Sequence, residues 1–151
     1  MNIAAIYQPT PVTVHAYETL TDAAQLMRER HVGSLIVVRP ELADDTLKTV
    51  GIITDRDIVV AVLAQGADPR TLSVGDVMNR QPVVAQSDEE LSDVLARMRH
   101  QGIRRVPVQG ARGELLGVLS LDDIVTYLAS ELDGIVGAVR AQQVMESARR
   151  P

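Results

Sequence analysis

Apolar positions recur along the chain in two matching sets. Leu20, Ala23, Ala24 and Met27 follow the spacing i, i+3, i+4, i+7, and so do Leu91, Val94, Leu95 and Met98, 71 residues further on. That period belongs to an α-helix with one buried face. Each set has a capping-box-like start nearby, Thr19-x-x-Asp22 and Ser87-x-x-Glu90. Residues 11–14 and 82–85 read as short extended entries. After each predicted helix comes an apolar run of strand length, residues 32–38 and 103–108. A second strand follows, at 50–53 or 115–119. The closing helix is apolar at Ile58, Val59, Val62 and Leu63, or at Ile124, Val125 and Leu128.

The chain is therefore predicted to hold two copies of a strand–helix–strand–strand–helix unit, each opened by a short turn at 3–7 or 74–78. The offset falls from 71 to 66 after the first strand of the later pair, so the polar loop around Asp44 and Asp45 is five residues longer in the first copy. A unit of roughly 60 residues buries little surface alone. Packing the two sheets face to face solves that and leaves a cleft between the halves. The expected division is a first repeat at 1–66, a linker at 67–73, a second repeat at 74–130 and a helical extension at 131–151. Leu128, Leu132, Ile135, Val136 and Val139 carry the helical stripe of Ile124 and Val125 on into the extension, although Gly134 and Gly137 each cost about 1 kcal/mol of helix propensity. That stripe either packs back on its own sheet or forms a dimer contact. Residues 149–151 are expected to fray.

Composition narrows the choice. Apolar residues make up 46% of the chain but aromatics only 2%, all tyrosine, so the core must be aliphatic. The formal charge of −5 argues against binding polyanions such as nucleic acid or an anionic membrane surface. No cysteine is present, which removes disulfides, thiolate chemistry and cysteine-held metals. Neither a leader-like start nor an apolar run of membrane length appears, so a cytoplasmic location is expected.

The second strand of each unit ends in a shared motif. Gly51-Ile52-Ile53-Thr54-Asp55-Arg56-Asp57-Ile58 recurs as Gly117-Val118-Leu119-Ser120-Leu121-Asp122-Asp123-Ile124. A hydroxyl with a carboxylate three residues later, at the start of a helix, offers a donor and an acceptor suited to a ribose-phosphate. These motifs, with "GDVMN" and "GIRRVPV" and the order of elements, resemble the tandem CBS (cystathionine-β-synthase-type) domain pairs over residues 3–130.

The resemblance implies an α/β fold (an α+β arrangement) of two β-α-β-β-α repeats related by a pseudo-two-fold axis. It also implies clefts that take an adenosine-type ligand. Thr54 and Ser120 are then expected to meet phosphate, helped by N–H groups of the helices they cap. Asp57 and Asp123 are expected to accept both ribose hydroxyls. The adenine is expected near Val14 and Val32 in one cleft and near Val84 and Ile103 in the other. Asp123 should work with Val32, Gly33 and Ser34, and Asp57 with Ile103, Arg104 and Arg105. Arg56, Arg104 and Arg105 supply the cations, so polyphosphate should prefer the Asp57 cleft, whereas Asp122 favours a less anionic ligand beside Ser120.

Blander readings stand beside these. Thr54-x-x-Asp57 and Ser120-x-x-Asp123 are also N-capping boxes; the doubled context favours a ligand for at least one, and the other is open to a degenerate, empty cleft. His15, His31 and His100 lack partners at metal-ligand spacing, and Met27, Met78 and Met98 read as packing. With no base–nucleophile pair in view, no enzymatic activity is expected. The leading reading is a regulatory module for AMP, ADP, ATP or S-adenosylmethionine, expected to form a homodimer and to act on another protein in trans. A structural dimerisation unit is the alternative.

Overall fold

The computed structural model describes residues 1–149; the part of the expected frayed end at 150–151 lies outside them. The elements follow the predicted order. The first unit is β1 (Thr13–His15), α1 (Leu20–Arg30), β2 (Ser34–Pro40), β3 (Leu47–Thr54) and α2 (Asp55–Ala61). After a short helix α3 (Val74–Val77), the second is β4 (Ala85–Gln86), α4 (Leu91–Gln101), β5 (Arg105–Gln109), β6 (Leu115–Ser120) and α5 (Leu121–Arg149). Each unit forms a three-stranded sheet, ordered β1-β2-β3 and β4-β5-β6, with one parallel and one antiparallel pairing. The two sheets meet where Lys48 of β3 bridges Glu114, the residue before β6.

The cores are aliphatic, as the composition required. Leu20, Ala23 and Met27 of α1 are buried with Leu35, Val37 and Ile53. Leu91, Val94 and Met98 of α4 are buried with Val106, Val108 and Leu119. Thr19 caps α1, its hydroxyl oxygen accepting from the Asp22 N–H at 3.1 Å. Thr19→Ala should therefore cost about 1 kcal/mol of stability in urea unfolding. The matching box at Ser87 does not form: the N-cap of α4 is Glu90, with no side-chain cap. The Leu91 N–H is instead taken by the carbonyl of Met1.

That last contact belongs to a wider exchange that the repeat pattern did not reveal. The opening segment of the chain does not pack on its own unit: Ile3 and Ile6 are buried in the second unit's core. Reciprocally, Val74 and Met78 are buried in the first unit's core. Gln8 pairs with Val118 of β6 and Asn79 with Ile52 of β3, through two backbone hydrogen bonds each. The motif glycines exist for these crossings. A Cβ on Gly117 would lie 2.2 Å from the Gln8 carbonyl oxygen, and one on Gly51 would lie 2.8 Å from that of Asn79.

The two predicted closing faces are buried only in part: Val62 and Ile124 are core residues and Ile58 packs on the first core. Val59 and Leu63 stay exposed, and α2 ends at Ala61 with a single 3-10 turn after it. Val125 and Leu128 stay exposed because α5 runs unbroken for 29 residues away from the body. No residue of α5 beyond Tyr127 is buried, so the stripe does not pack back on its own sheet.

Candidate functional site

The two corners after β3 and β6 are built alike. Thr54 is the N-cap of α2: its Oγ1 accepts from the Asp57 N–H at 3.1 Å, and the Asp57 Oδ2 accepts from the Thr54 N–H at 2.9 Å. Ser120 and Asp123 repeat this at 3.1 and 3.0 Å. Each carboxylate is thus fixed by the backbone of the strand end before it. Both are half-buried.

Beyond that shared frame the corners differ. The Ser120 hydroxyl donates to Asp123 Oδ2, and the Gln8 side-chain amide reaches Asp123 Oδ1 at 3.1 Å. Both oxygens of Asp123 therefore already have protein donors. Asp57 Oδ1 receives no side-chain or backbone hydrogen bond among the described residues, and the Thr54 hydroxyl has no acceptor there. An acceptor-only oxygen beside an uncommitted hydroxyl suits a ligand that presents vicinal hydroxyls and an anionic group.

The surrounding residues are not all where the motifs predicted. Val14 is a core residue, 2% exposed, so its side chain is closed to an adenine ring. Val32 packs on the same core, half-buried. Gly33 lies beside Asp55 of its own unit, its carbonyl accepting from the Asp55 N–H at 3.0 Å, and Ser34 pairs with Thr54 across β2 and β3. Arg105 pairs with Ser120, and Arg104 makes an exposed ion pair with Asp122 at 3.3 Å. No hydrogen bond or ion pair links Asp123 to residues 32–34, or Asp57 to residues 103–105, among the described residues. The segment that does cross to a carboxylate is Gln8, which carried no sequence signal. Arg56 is exposed beside Thr54. The Val84 carbonyl accepts from Arg97 at 3.1 Å.

The expected N–H cradle for phosphate is absent from the first corner. The N–H of Asp55 goes to Gly33, that of Arg56 to Asp55 Oδ1, and that of Asp57 to Thr54. Asp55, which the motif treated as a variable position, is the reason: its carboxylate stands in the first turn and takes a donor a phosphate would need. An exposed pair such as Arg104–Asp122 contributes little, and Asp122→Ala should change stability by less than about 1 kcal/mol. Its chemical-denaturation midpoint should match the parent.

Two open concavities lie on the second unit, outside both corners. One of about 510 Å³ is lined by Leu95, Ala96, Ile103, Arg104 and Leu121 among others. The other, about 490 Å³, shares Ala96 and Arg99 with it. Of the expected ligand contacts only Ile103 and Arg104 line either. Among the described residues no helix is long and apolar enough to cross a membrane, and no group of three His, Asp or Glu is placed to hold a metal ion.

Comparison with known proteins matches this arrangement. A CBS domain family model fits residues 3–64 and again 74–130. Hypoxic response protein 1 of Mycobacterium tuberculosis is 36% identical over 115 residues, 76% of each chain. CBS domain-containing protein YhcV of Bacillus subtilis is 34% identical over 123 residues, covering 81% of this chain and 82% of its own. Among solved structures, the CBS domain pair of protein MJ0100 in complex with 5′-methylthioadenosine and S-adenosyl-L-methionine aligns with a TM-score of 0.73 at 26% identity, over 87% of this chain and 98% of that one. Hypoxic response protein 1 with two coordinated zinc ions aligns at 0.70 and 33%, over 84% and 98%.

Proposed function

Because the chain belongs to the CBS domain family, we propose that it is a regulatory module that binds an adenosine-type ligand and passes the change in shape to another protein in trans. The observation that carries this reading is the first corner: a carboxylate fixed by its backbone, with Asp57 Oδ1 unoccupied beside the uncommitted Thr54 hydroxyl. A ribose offers two O–H donors to such a carboxylate, and each charge-assisted bond is worth about 1.5–3 kcal/mol. Arg56 and the Thr54 hydroxyl would then face the phosphate or other 5′ group, in place of the helix N–H groups. Residues 103–105 would reach the ligand from the other unit, with Arg104 released from Asp122. AMP, ADP, ATP and S-adenosylmethionine all fit this chemistry, and the MJ0100 pair holds two ligands of the same class. The module acts by binding and not by turnover, in the cytoplasm.

The Ser120/Asp123 corner favours a second, structural role. Both oxygens of its carboxylate already accept from the protein, Oδ2 from Ser120 and Oδ1 from Gln8, so it fastens the N-terminal crossing more than it offers a site. A ligand there has to share Asp123 with Gln8 or displace it.

A thermal-shift panel of AMP, ADP, ATP, S-adenosylmethionine and NAD tests the reading. At a ligand concentration a hundredfold above its dissociation constant the folded state gains about 2.7 kcal/mol. For a chain of this size that raises the midpoint by roughly 5–10 °C. If no adenosine compound moves it, the pair is a structural unit.

A further inference from the structure

The strand leading into each corner is crossed by the opening segment of the other unit, and the two crossings carry different amides at one position. Gln8 pairs with Val118, the residue after Gly117, and Asn79 pairs with Ile52, the residue after Gly51. Their backbone hydrogen bonds are alike, 2.9 and 3.0 Å for Gln8 and 2.9 and 3.1 Å for Asn79. The side chains then part. Gln8 Nε2 donates to Asp123 Oδ1 at 3.1 Å. Asn79, one methylene shorter, turns its Oδ1 to accept from the N–H of Gln81 at 3.0 Å, in its own loop. Among the described residues no hydrogen bond joins the Asn79 side chain to Asp57.

That methylene changes the capacity of the carboxylate behind it. An ionised carboxylate offers roughly four acceptor positions, about two on each oxygen. At Asp123 the Ser120 N–H and hydroxyl both take Oδ2 and Gln8 takes Oδ1, which leaves one. At Asp57 only the Thr54 N–H is bound, by Oδ2, which leaves three. A vicinal diol presents two O–H donors. Asp57 has room for both, and Asp123 has room for both only when the Gln8 amide withdraws.

We propose that the residue at this crossing position decides which corner takes a ribose. Gln8 is a tethered competitor for Asp123, and Asn79 leaves Asp57 open, so the chain takes one adenosine-type ligand and not two. The inference rests on the ligand-binding reading and adds to it the residues that set occupancy. Gln8 also belongs to the segment that carries Ile3 and Ile6 into the second core. The competition is reciprocal: a ligand at Asp123 weakens the Gln8 contact by the factor by which that contact weakens the ligand.

Isothermal titration of AMP, and separately of S-adenosylmethionine, into the parent and its swapped variants is the test. The parent should take one ligand per chain. Gln8→Asn should take two, since the shorter amide can turn to the Thr10 N–H as Asn79 turns to that of Gln81. Gln8→Ser, which frees Asp123 by truncation, should do the same. Asn79→Gln should bind about tenfold more weakly, the factor of one charge-assisted hydrogen bond. The double swap should move the tighter site to the second corner, so that Asp123→Ala then removes it and Asp57→Ala does not. Both swapped positions are exposed, so circular dichroism melts should stay close to the parent's. A second ligand already on the parent, a single ligand on both Gln8 variants, or parent affinity in Asn79→Gln would each overturn the inference while the ligand-binding reading stands. Binding of neither titrant to the parent or to any variant would overturn both.

Discussion

Alanine at position 117 is expected to lower the unfolding midpoint by about 5–10 °C, although glycine is usually a poor strand residue. The cause is the strand that passes over it. A methyl group there would lie 2.2 Å from the backbone oxygen of Gln8 and 2.5 Å from a ring carbon of Tyr7. A backbone oxygen cannot turn aside as a side chain can. The Gln8–Val118 pairing, held by hydrogen bonds of 2.9 and 3.0 Å, would have to open. Ile3 and Ile6, buried in the second core, would be drawn out with it. Overpacking of this kind costs about 1–3 kcal/mol, and the backbone clash places this case at the upper end. Gly51→Ala should cost less, since one of its two close neighbours is the flexible thioether of Met78 at 2.7 Å. Gly33→Ala should be nearly neutral, because only the Asp55 carboxylate stands close, at 3.1 Å. Differential scanning calorimetry of the three variants should rank them in that order. A neutral Gly117→Ala would mean the N-terminal segment does not cross to the second unit.

Asp57→Ala is expected to weaken binding of an adenosine ligand by at least about a hundredfold, from the loss of two charge-assisted hydrogen bonds worth together about 3–6 kcal/mol. Asp123→Ala should cost less than about tenfold, because both its oxygens are already hydrogen-bonded to Ser120 and Gln8. Both substitutions also remove half of a capping box, at about 1 kcal/mol of stability each. Affinity at saturating folded protein separates the two effects, since capping is lost equally at the two corners. Equal losses of ATP affinity would contradict the asymmetry between them.

The strands, helices and doubling were legible because they rest on local periodicity. The burial of Leu20, Ala23 and Met27, and of their partners in α4, follows from spacing alone. What the sequence hid was non-local. The exchange of opening segments depends on Ile3 and Val74 entering each other's unit, and no periodicity records which core an apolar residue joins. The tight glycines at 51 and 117 stood in plain view within the motif, but their reason lies in segments distant along the chain, at Asn79, 28 residues after Gly51, and at Gln8, 109 residues before Gly117. Val14 looked like a cleft residue and is core, since strand alternation leaves the choice of face to the partner sheet. Asp55 and Gln8 escaped notice because neither belongs to the repeated pattern. Asp55 matches Leu121, and its hydrogen bond to the Arg56 N–H closes the helix end that a phosphate was expected to use.

The ribose contact at Asp57 is tested most directly by isothermal titration of matched ligands, an adenine nucleotide and its 2′-deoxy form, into the parent protein and Asp57→Ala. The account predicts that the parent binds the ribose form at least about tenfold more tightly than the deoxy form, and that Asp57→Ala binds both weakly and without preference. Equal affinity of the parent for the two sugars, or a preference kept in Asp57→Ala, would contradict it.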